Sequence, residues 1–470
     1  MAVRIESQTV PFDPADPRAA LGQLPRTAAV FALYGEEAHF EPYIGRTPNL
    51  RGRLERLLQP SAKHPRRLQL AGRVRRIEWR LTGSEFESLL AQFSLLEQIY
   101  GAKTLERMHL GAPAFVRFLG GNPYPRITVT HRPSQREAGW AYGPFQSRAA
   151  AESFADEALK LFLLRRCTDD LNPNPSHPGC VYSEMKMCLA PCYQGCTDER
   201  YAAEAAAVEG FLATRGDSRL VVLRASRDEA SANLEFEAAA SLHAQVQRVE
   251  AVRALAPELV RPLSQLRAVI LQASANPDEV AVFLFENARL RGPAAFPTLG
   301  MRIQNEQSGS TSLFAHPVAI EPIPESAQPE QAAEDNSRLG EMPDKNSAGA
   351  KARAEFEDLP ARLKSCPDAS LPSPATSEGG TTAQAKVPRG LLEARMEAAL
   401  AELRDSGQTP SPTLRQGHLA LLKRWYYRPE ARRTGEIFFP DAEGRWPVKA
   451  MLRGVGRVAA GSLQHGNPQD

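Results

Sequence analysis

The chain has 470 residues, with 57 Lys and Arg against 55 Asp and Glu, a net charge of +2. That balance excludes a globally basic nucleic-acid coat, and no stretch reaches the roughly eighteen apolar residues of a membrane helix. Met1–Gln23 carries acids and prolines but no apolar secretory core, so a cytoplasmic protein with reduced thiols and no membrane partner is expected, of about three folding units.

Thr27–Tyr34 (T-A-A-V-F-A-L-Y) reads as a short buried strand and Phe40–Gly45 as its partner. Thr47 is expected to cap the next helix with Pro48 at its first position. Leu50, Leu54, Leu57 and Leu58 form the apolar stripe of that helix, with Arg51, Arg53 and Arg56 off it. Arg46 to Arg80 holds ten arginines and a lysine against two glutamates. Such a patch can neutralise phosphates or simply solvate a helix face. Arg75–Leu81 reads as a third strand. Ser84–Tyr100 reads as an amphipathic helix with Phe86, Leu89, Leu90, Phe93 and Leu96 turned inward. Gly143-Pro144 is expected to turn the chain before a helix over Arg148–Arg165.

Helices follow over Tyr201–Leu212 and Leu220–Leu255, the second broken into a hairpin near Asn233. Arg267–Leu271, Glu279–Glu286 and Ala288–Phe296 read as strands of a small sheet. From about Gln304 to Lys386 the composition shifts to Pro, Ser, Ala, Glu and Gly with few aromatics, which predicts a disordered linker. Helices over Leu391–Leu403 and Leu414–Trp425 and a short hairpin over Glu436–Val448 close the chain.

Five of the six cysteines fall between positions 167 and 196. Cys167, Cys180, Cys188 and Cys192 are spaced C-x12-C-x7-C-x3-C, with Cys196 just beyond. In a reducing compartment thiols this close point to a metal site rather than disulfides. Four thiolates suit a tetrahedral zinc ion or a 4Fe–4S cluster. Only Cys188 and Cys192 form a short pair, and the wide first gap fits a cluster wrapped by a loop. Cys196 reads as a small buried hydrophobe, and Cys366 as an unpaired thiol in the linker.

Tyr43-Ile44-Gly45 followed by R-T-P-N-L-R-G-R-L resembles the GIY-YIG nuclease domain. Tyr142-Gly143-Pro144-Phe145, the run C-L-A-P-C at Cys188–Cys192 and N-L-E-F-E at Asn233–Glu237 follow in the order seen in the UvrC family of excinucleases, which act in bacterial nucleotide excision repair. The resemblance covers roughly residues 20–300. It implies phosphate handling by Tyr43, Arg46 and Arg53. The first-motif tyrosine is absent, because the segment there reads Ala29-Val30-Phe31 and Phe31 has no hydroxyl. The family's metal-binding glutamate aligns with Gln92, and its closing asparagine with Thr104. A neutral amide is a poor ligand for a hard cation, so Mg2+ or Mn2+ is left without its charged ligand, and a weak or dead nuclease is expected. Glu97 and Glu87 are not comfortable replacements, Glu97 being rotated about 140° around the helix from Gln92.

The resemblance also favours a 4Fe–4S cluster on Cys167, Cys180, Cys188 and Cys192 over zinc. The hairpin at Asn233–Glu237 resembles a UVR-type motif docking on a UvrB-like helicase subunit, with packing inside the chain as the alternative. Leu234, Phe236, Leu242 and Val246 are the expected contacts, and Ala239, Leu242, Val246 and Val249 form a heptad-like seam. The terminal cluster Lys423-Arg424-Trp425-Tyr426-Tyr427-Arg428, with Arg432-Arg433, could stack single-stranded nucleic acid or be an aromatic core with a charged rim. No carboxylate-bearing RNase H-like domain is expected after Phe296.

The expected fold class is α+β. It comprises a GIY-YIG-type sandwich (20–105), a connecting region with the Y-G-P-F segment (106–165), a helical cysteine segment (166–215) and a UVR-like hairpin (216–256). A small β region (262–300), the linker (304–388) and a basic, aromatic C-terminal module (389–465) complete it. The expected function is damaged-DNA repair with UvrB, including one metal-dependent incision. The alternative is a non-cutting accessory that binds DNA or UvrB.

Overall fold

The computed structural model describes residues 7–36, 41–58, 70–134, 136–168, 170–299, 301, 387–404 and 410–465, with side chains to 461. The predicted linker lies outside the described residues. The fold is mixed α and β.

β1 (Gln8–Pro11), α1 (Pro17–Gly22), β2 (Ala29–Gly35), β3 (Tyr43–Thr47), α2 (Leu50–Leu58) and β4 (Val74–Leu81) form the first unit. Its sheet is antiparallel in the order β1-β4-β2-β3. Side chains alternate across a strand, so Ala29, Phe31 and Leu33 share one face, and Leu50, Leu54 and Leu58 of α2 cover it. The helix is capped later than Thr47 and Pro48 suggest. Asn49 Oδ1 accepts the Gly52 N–H at 2.9 Å, whereas Thr47 ends β3 and its hydroxyl accepts from the Asn49 N–H at 3.2 Å. Asparagine is the shorter reach to the third amide of the helix.

α3 (Glu85–Tyr100) starts where Ser84 Oγ accepts the Glu87 N–H at 3.1 Å. It lies against β2 and β3, yet it turns Phe86, Leu89, Leu90 and Phe93 into another core. The i, i+3, i+4, i+7 spacing of those four residues puts them on one stripe. α4 (Thr104–Arg107) follows.

β5 (Ala114–Phe118), β6 (Ile127–Thr130) and β7 (Ala141–Phe145) make a second antiparallel sheet, which β8 (Arg261–Pro262) extends in the order β6-β5-β7-β8. Gly143-Pro144 lies inside β7 with a cis peptide bond, not in a turn before the helix. The β5 ladder is irregular at that point, between Ala114 and Val116, where a missing amide donor is tolerated. α5 (Arg148–Leu159) stops short of Arg165, and the chain beyond it leads to the cysteines. α6 (Val181–Glu184), α7 (Asp198–Ala213), α8 (Asp217–Ala232) and α9 (Phe236–Ala254) complete this region. Val116, Tyr142, Phe154, Phe211, Leu223, Val246 and Val249 meet in one core.

β9 (Ala268–Ala273), β10 (Glu279–Glu286) and β11 (Arg289–Pro297) form the small sheet predicted. α10 (Arg389–Leu403), α11 (Pro412–Tyr426), β12 (Glu436–Phe438) and α12 (Val448–His465) follow. The sequence separates 262–300 from 389–465, but the structure joins them. β12 pairs antiparallel with β9, Ile437 opposite Ile270, in the sheet order β11-β10-β9-β12. The hairpin expected over Glu436–Val448 is therefore one strand added to β9, and Val448 opens a helix. Gly454, Gly456 and Gly461 weaken that helix as a local signal, while Met451, Val455 and Ala459 still bury against the sheet. Both sheet faces are covered. Val269, Leu271 and Val282 pack with α10 and α12, and Ile270, Ala281 and Phe283 with α11 and α3. This explains the near-continuous apolar runs of β9 and β10.

His418 lies at this junction. Its Nδ1 accepts the Leu290 N–H at 2.9 Å and its ring sits 5.3 Å from that of Phe93. The next residue back, Gly417, lies so close to Phe93 that a Cβ there would come within 2.1 Å of its ring edge.

Candidate functional site

The four cysteines of the predicted metal site are carried by a loop that ties its own ends. Arg165 is almost fully buried; its backbone N–H donates to Tyr201 OH (3.2 Å), and Tyr201 OH donates to Pro125 O (2.8 Å). Cys180 precedes α6, its N–H donating to Ser183 Oγ at 2.9 Å. Leu189 N–H returns to Leu163 O (3.0 Å) and Asn174 N–H to Cys192 O (2.9 Å). Cys192 sits on a 3-10 turn, Pro191–Tyr193, flanked by Ala190 and Gln194 at φ 55° and 60°. Those two left-handed residues fold the C-L-A-P-C segment back on itself.

Cys167, Cys180, Cys188, Cys192 and Cys196 are all free thiols. Burial pushes the Cys188 thiol up to about 11, even though the Ala190 N–H points at its Sγ at 3.3 Å, and the thiols of Cys167, Cys180 and Cys192 add to the rise. Burial and the Cys180 and Cys167 thiols likewise raise Cys192. The four are thus near enough to feel one another. Among the described residues, however, no three His, Cys, Asp or Glu side chains are gathered closely enough to hold a single metal ion.

The donor set fits a bound group of net negative charge. Arg165 Nη1 stands 3.8 Å from Cys167 Sγ, and its buried Nε has no partner among the described residues. A buried guanidinium beside the Cys167 thiol calls for an anion, which thiolates around a metal centre would provide. Cys196 lies outside this set and packs against the middle core. Cys366 lies outside the described residues. Arg165 escaped the sequence reading, although the run Arg165-Arg166-Cys167 was a signal for it.

The nuclease-like residues lie on β3, α2 and α3. Phe31 is buried over Gly45, where an added Cβ would come within 2.7 Å of its ring. Its ring is 6.1 Å from that of Tyr43. Tyr43 and Arg46 are half-buried and Arg53 is exposed. Arg46 Nη1 pairs with Glu85 at 3.1 Å, and Glu85 also receives both nitrogens of Arg428 at 2.7 and 2.8 Å. The Arg428 hydrogen bonds, with help from Arg46, hold the Glu85 carboxyl down at about 2.

Glu87 is buried, accepts the Gly83 N–H at 2.9 Å and pairs with Arg80 at 3.3 Å. Burial nevertheless raises its pKa. Gln92 is half-buried, and Thr104 is fully buried with its hydroxyl unpartnered. These residues do not fit a divalent ion. Gln92, where the resemblance implies a carboxylate, offers only an amide, and both first-turn glutamates of α3 already pair with arginines. Nothing in the local sequence marked Glu85, because its second arginine arrives from residue 428.

In the hairpin of α8 and α9 the four predicted contacts separate. Leu234 and Phe236 at the tip are 71% and 67% exposed, whereas Val246 is buried and Leu242 packs against the chain's own core. Val249 of the seam is buried there too. The terminal aromatic cluster is also structural. Trp425 is buried, its Nε1 donating to Thr434 O at 3.0 Å, and Tyr427 OH donates to Pro144 O at 2.9 Å. Arg433 lies over Tyr426 at 5.3 Å. The rings are core and the cations are rim.

Strands β5, β6 and β7, helix α5 and the four-thiol loop leading into α7 form one stretch of the chain. Residues 115–211 match the family described as the UvrC/Cho excinuclease middle domain, and every clustered cysteine falls inside that span. Over about half its length the chain is similar to UvrABC system protein C. It is 29% identical over 238 residues to the UvrABC system protein C of Alcanivorax borkumensis, a match covering 51% of this chain and 39% of that protein. It is 28% identical over 241 residues to the UvrABC system protein C of Pseudomonas protegens, again 51% of this chain and 39% of that protein. The counterpart from Pseudomonas fluorescens SBW25 is 27% identical over 245 residues, 52% of this chain and 39% of that protein. The chain thus spans about two-fifths of the length of these curated relatives. No solved structure matches. Among the described residues, no helix is long and apolar enough to cross a membrane.

Proposed function

We propose that this chain is a nucleotide excision repair component that binds damaged DNA together with a UvrB-like helicase and does not itself cut. One observation carries the non-cutting reading. The helix that should supply the metal carboxylate has Gln92 at that position, and its Glu85 and Glu87 are held by Arg46, Arg428 and Arg80. Without a charged oxygen a divalent ion has little reason to stay. The similarity of about half the chain to UvrABC system protein C supports the repair role.

The test is nicking of damaged duplex by the full chain with purified UvrB and Mg2+ or Mn2+. No nicking by the wild type, with nicking gained by Gln92→Glu, supports the proposal. Nicking by the wild type that Tyr43→Phe or Arg53→Ala abolishes overturns it. A second reading, a single incision, is favoured by the survival of Tyr43, Arg46 and Arg53 on β3 and α2, and the same assay decides it.

The thiols of Cys167, Cys180, Cys188 and Cys192 would hold a 4Fe–4S cluster in this reading. A zinc tetrahedron with bonds of about 2.3 Å needs its sulfurs in near contact. Thiols that interact without gathering round a single ion suit the larger cluster better, and Arg165 offsets its charge. The cluster would lock the loop against α7. The exposed hairpin tip would carry the UvrB contact. Phe236→Ala should weaken UvrB binding about tenfold if it anchors that contact, and unchanged affinity in a direct titration would remove the tip from the interface.

A further inference from the structure

A cavity of about 430 Å³ opens in the middle region, away from both the thiols and the nuclease-like strands. Tyr142 of β7, Phe154 of α5 and Phe211 of α7 supply aromatic walls, and Arg215, Glu250 and Arg253 supply its charged groups. Volume and lining fall within the range of small-molecule sites, which are mostly apolar with a few placed polar groups.

The charges around the cavity do not balance. Arg253 pairs with Asp217 at 3.0 Å, Glu250 with Arg224 at 2.6 Å, and the nearby Arg261 with Glu258 at 3.1 Å. Arg215 is left over. Its Nε is buried without an acceptor, and among the described residues it makes no ion pair. Its backbone, at φ 54°, stands in the left-handed region just past α7. A buried charged donor without an acceptor is destabilising, and an anionic ligand would supply the missing acceptor.

The ligand can be read from these groups. An oxyanion answers Arg215, with Arg253 beside it. A planar body fits the aromatic walls. The Glu250 carboxylate accepts from a ring N–H or a hydroxyl, which a plain arene lacks. Phosphate, base and sugar together meet all three demands, and the volume suits one such unit. We infer that this cavity is a binding site for a nucleoside monophosphate.

The test is isothermal titration of the full chain with thymidine 5′-monophosphate, thymidine and inorganic phosphate. The monophosphate should bind, and each fragment at least about tenfold more weakly, because each lacks one half of the recognition. Arg215→Asn, which suits the left-handed backbone, should weaken binding about tenfold or more. Ala254→Phe, from an exposed wall position of α9, should abolish it by filling the cavity without touching Arg215. Should Arg215→Asn fail to fold, Ala254→Phe decides alone. No binding of the monophosphate, equal binding of inorganic phosphate, or binding unchanged in Ala254→Phe overturns the assignment. Competition by 5′-phosphorylated oligothymidylate assigns the bound unit to a strand end, and its failure to compete assigns it to a free nucleotide. Either result supports the site.

Discussion

His418 gives the sharpest test of how the C-terminal residues are held. It is fully buried in α11, and its Nδ1 accepts the Leu290 N–H, which fixes the ring proton on Nε2. Burial, aided by Arg289 and Arg291, lowers its pKa from 6.5 to about 3. The folded state therefore keeps the neutral ring, while the unfolded chain takes up a proton below 6.5. The stability is complete above 6.5 and falls as the pH drops from there toward 3, because only the unfolded state gains a proton in that window. One proton corresponds to about 1.4 kcal/mol per pH unit, so roughly 2 kcal/mol is lost by about pH 5. His418→Asn keeps an acceptor near the Leu290 amide but cannot titrate. Urea unfolding followed by tryptophan fluorescence at about pH 7 and pH 5 should show the wild type losing roughly 2 kcal/mol more than the variant. Equal losses in the two proteins would refute the reasoning.

Glu85→Gln should cost about 1 kcal/mol at neutral pH, since its pairs with Arg46 and Arg428 are partly screened at 42% exposure. Its depressed pKa makes that contribution present above 4.5 and lost as the pH falls through about 2, so wild type and variant should converge there; a constant gap would count against the clamp. Gly417→Ala drives a methyl into the Phe93 ring and should cost about 1–3 kcal/mol in a denaturant titration, whereas an unchanged midpoint would mean that α11 and α3 are not locked together. Anaerobically purified chain should be brown with about four irons, which Cys188→Ser loses and Cys196→Ser keeps. A colourless protein with one zinc, or equal loss in both variants, would refute the cluster.

The local sequence was enough to place the elements that rest on short-range patterns. The stripe Phe86, Leu89, Leu90, Phe93 specified α3, and the break at Asn233 specified the hairpin, because the 3.6-residue period and helix ends are read from neighbours. The grouping of Cys167, Cys180, Cys188 and Cys192 was visible for the same reason, since they lie close together in sequence. Errors arose where a residue's partner is distant. Gly143-Pro144 looked like a turn until β5 and β8 placed it in a strand. Glu436–Phe438 looked like half a hairpin until β9, far back in the chain, claimed it. For Trp425 the sequence leaves stacking on nucleic acid and an aromatic core open, and its place beside Phe86 and Phe283 decides for the core.

The sequence alone determined what chemistry was available. It provided four grouped thiols, the amide of Gln92, the phenyl ring of Phe31 and an apolar hairpin tip. Only the tertiary structure decided how those groups are used, because charge pairing and burial depend on distance in space. It brought Arg428 to Glu85, Arg165 to Cys167 and His418 to Leu290, and it left Arg215 at a cavity without an ion pair among the described residues.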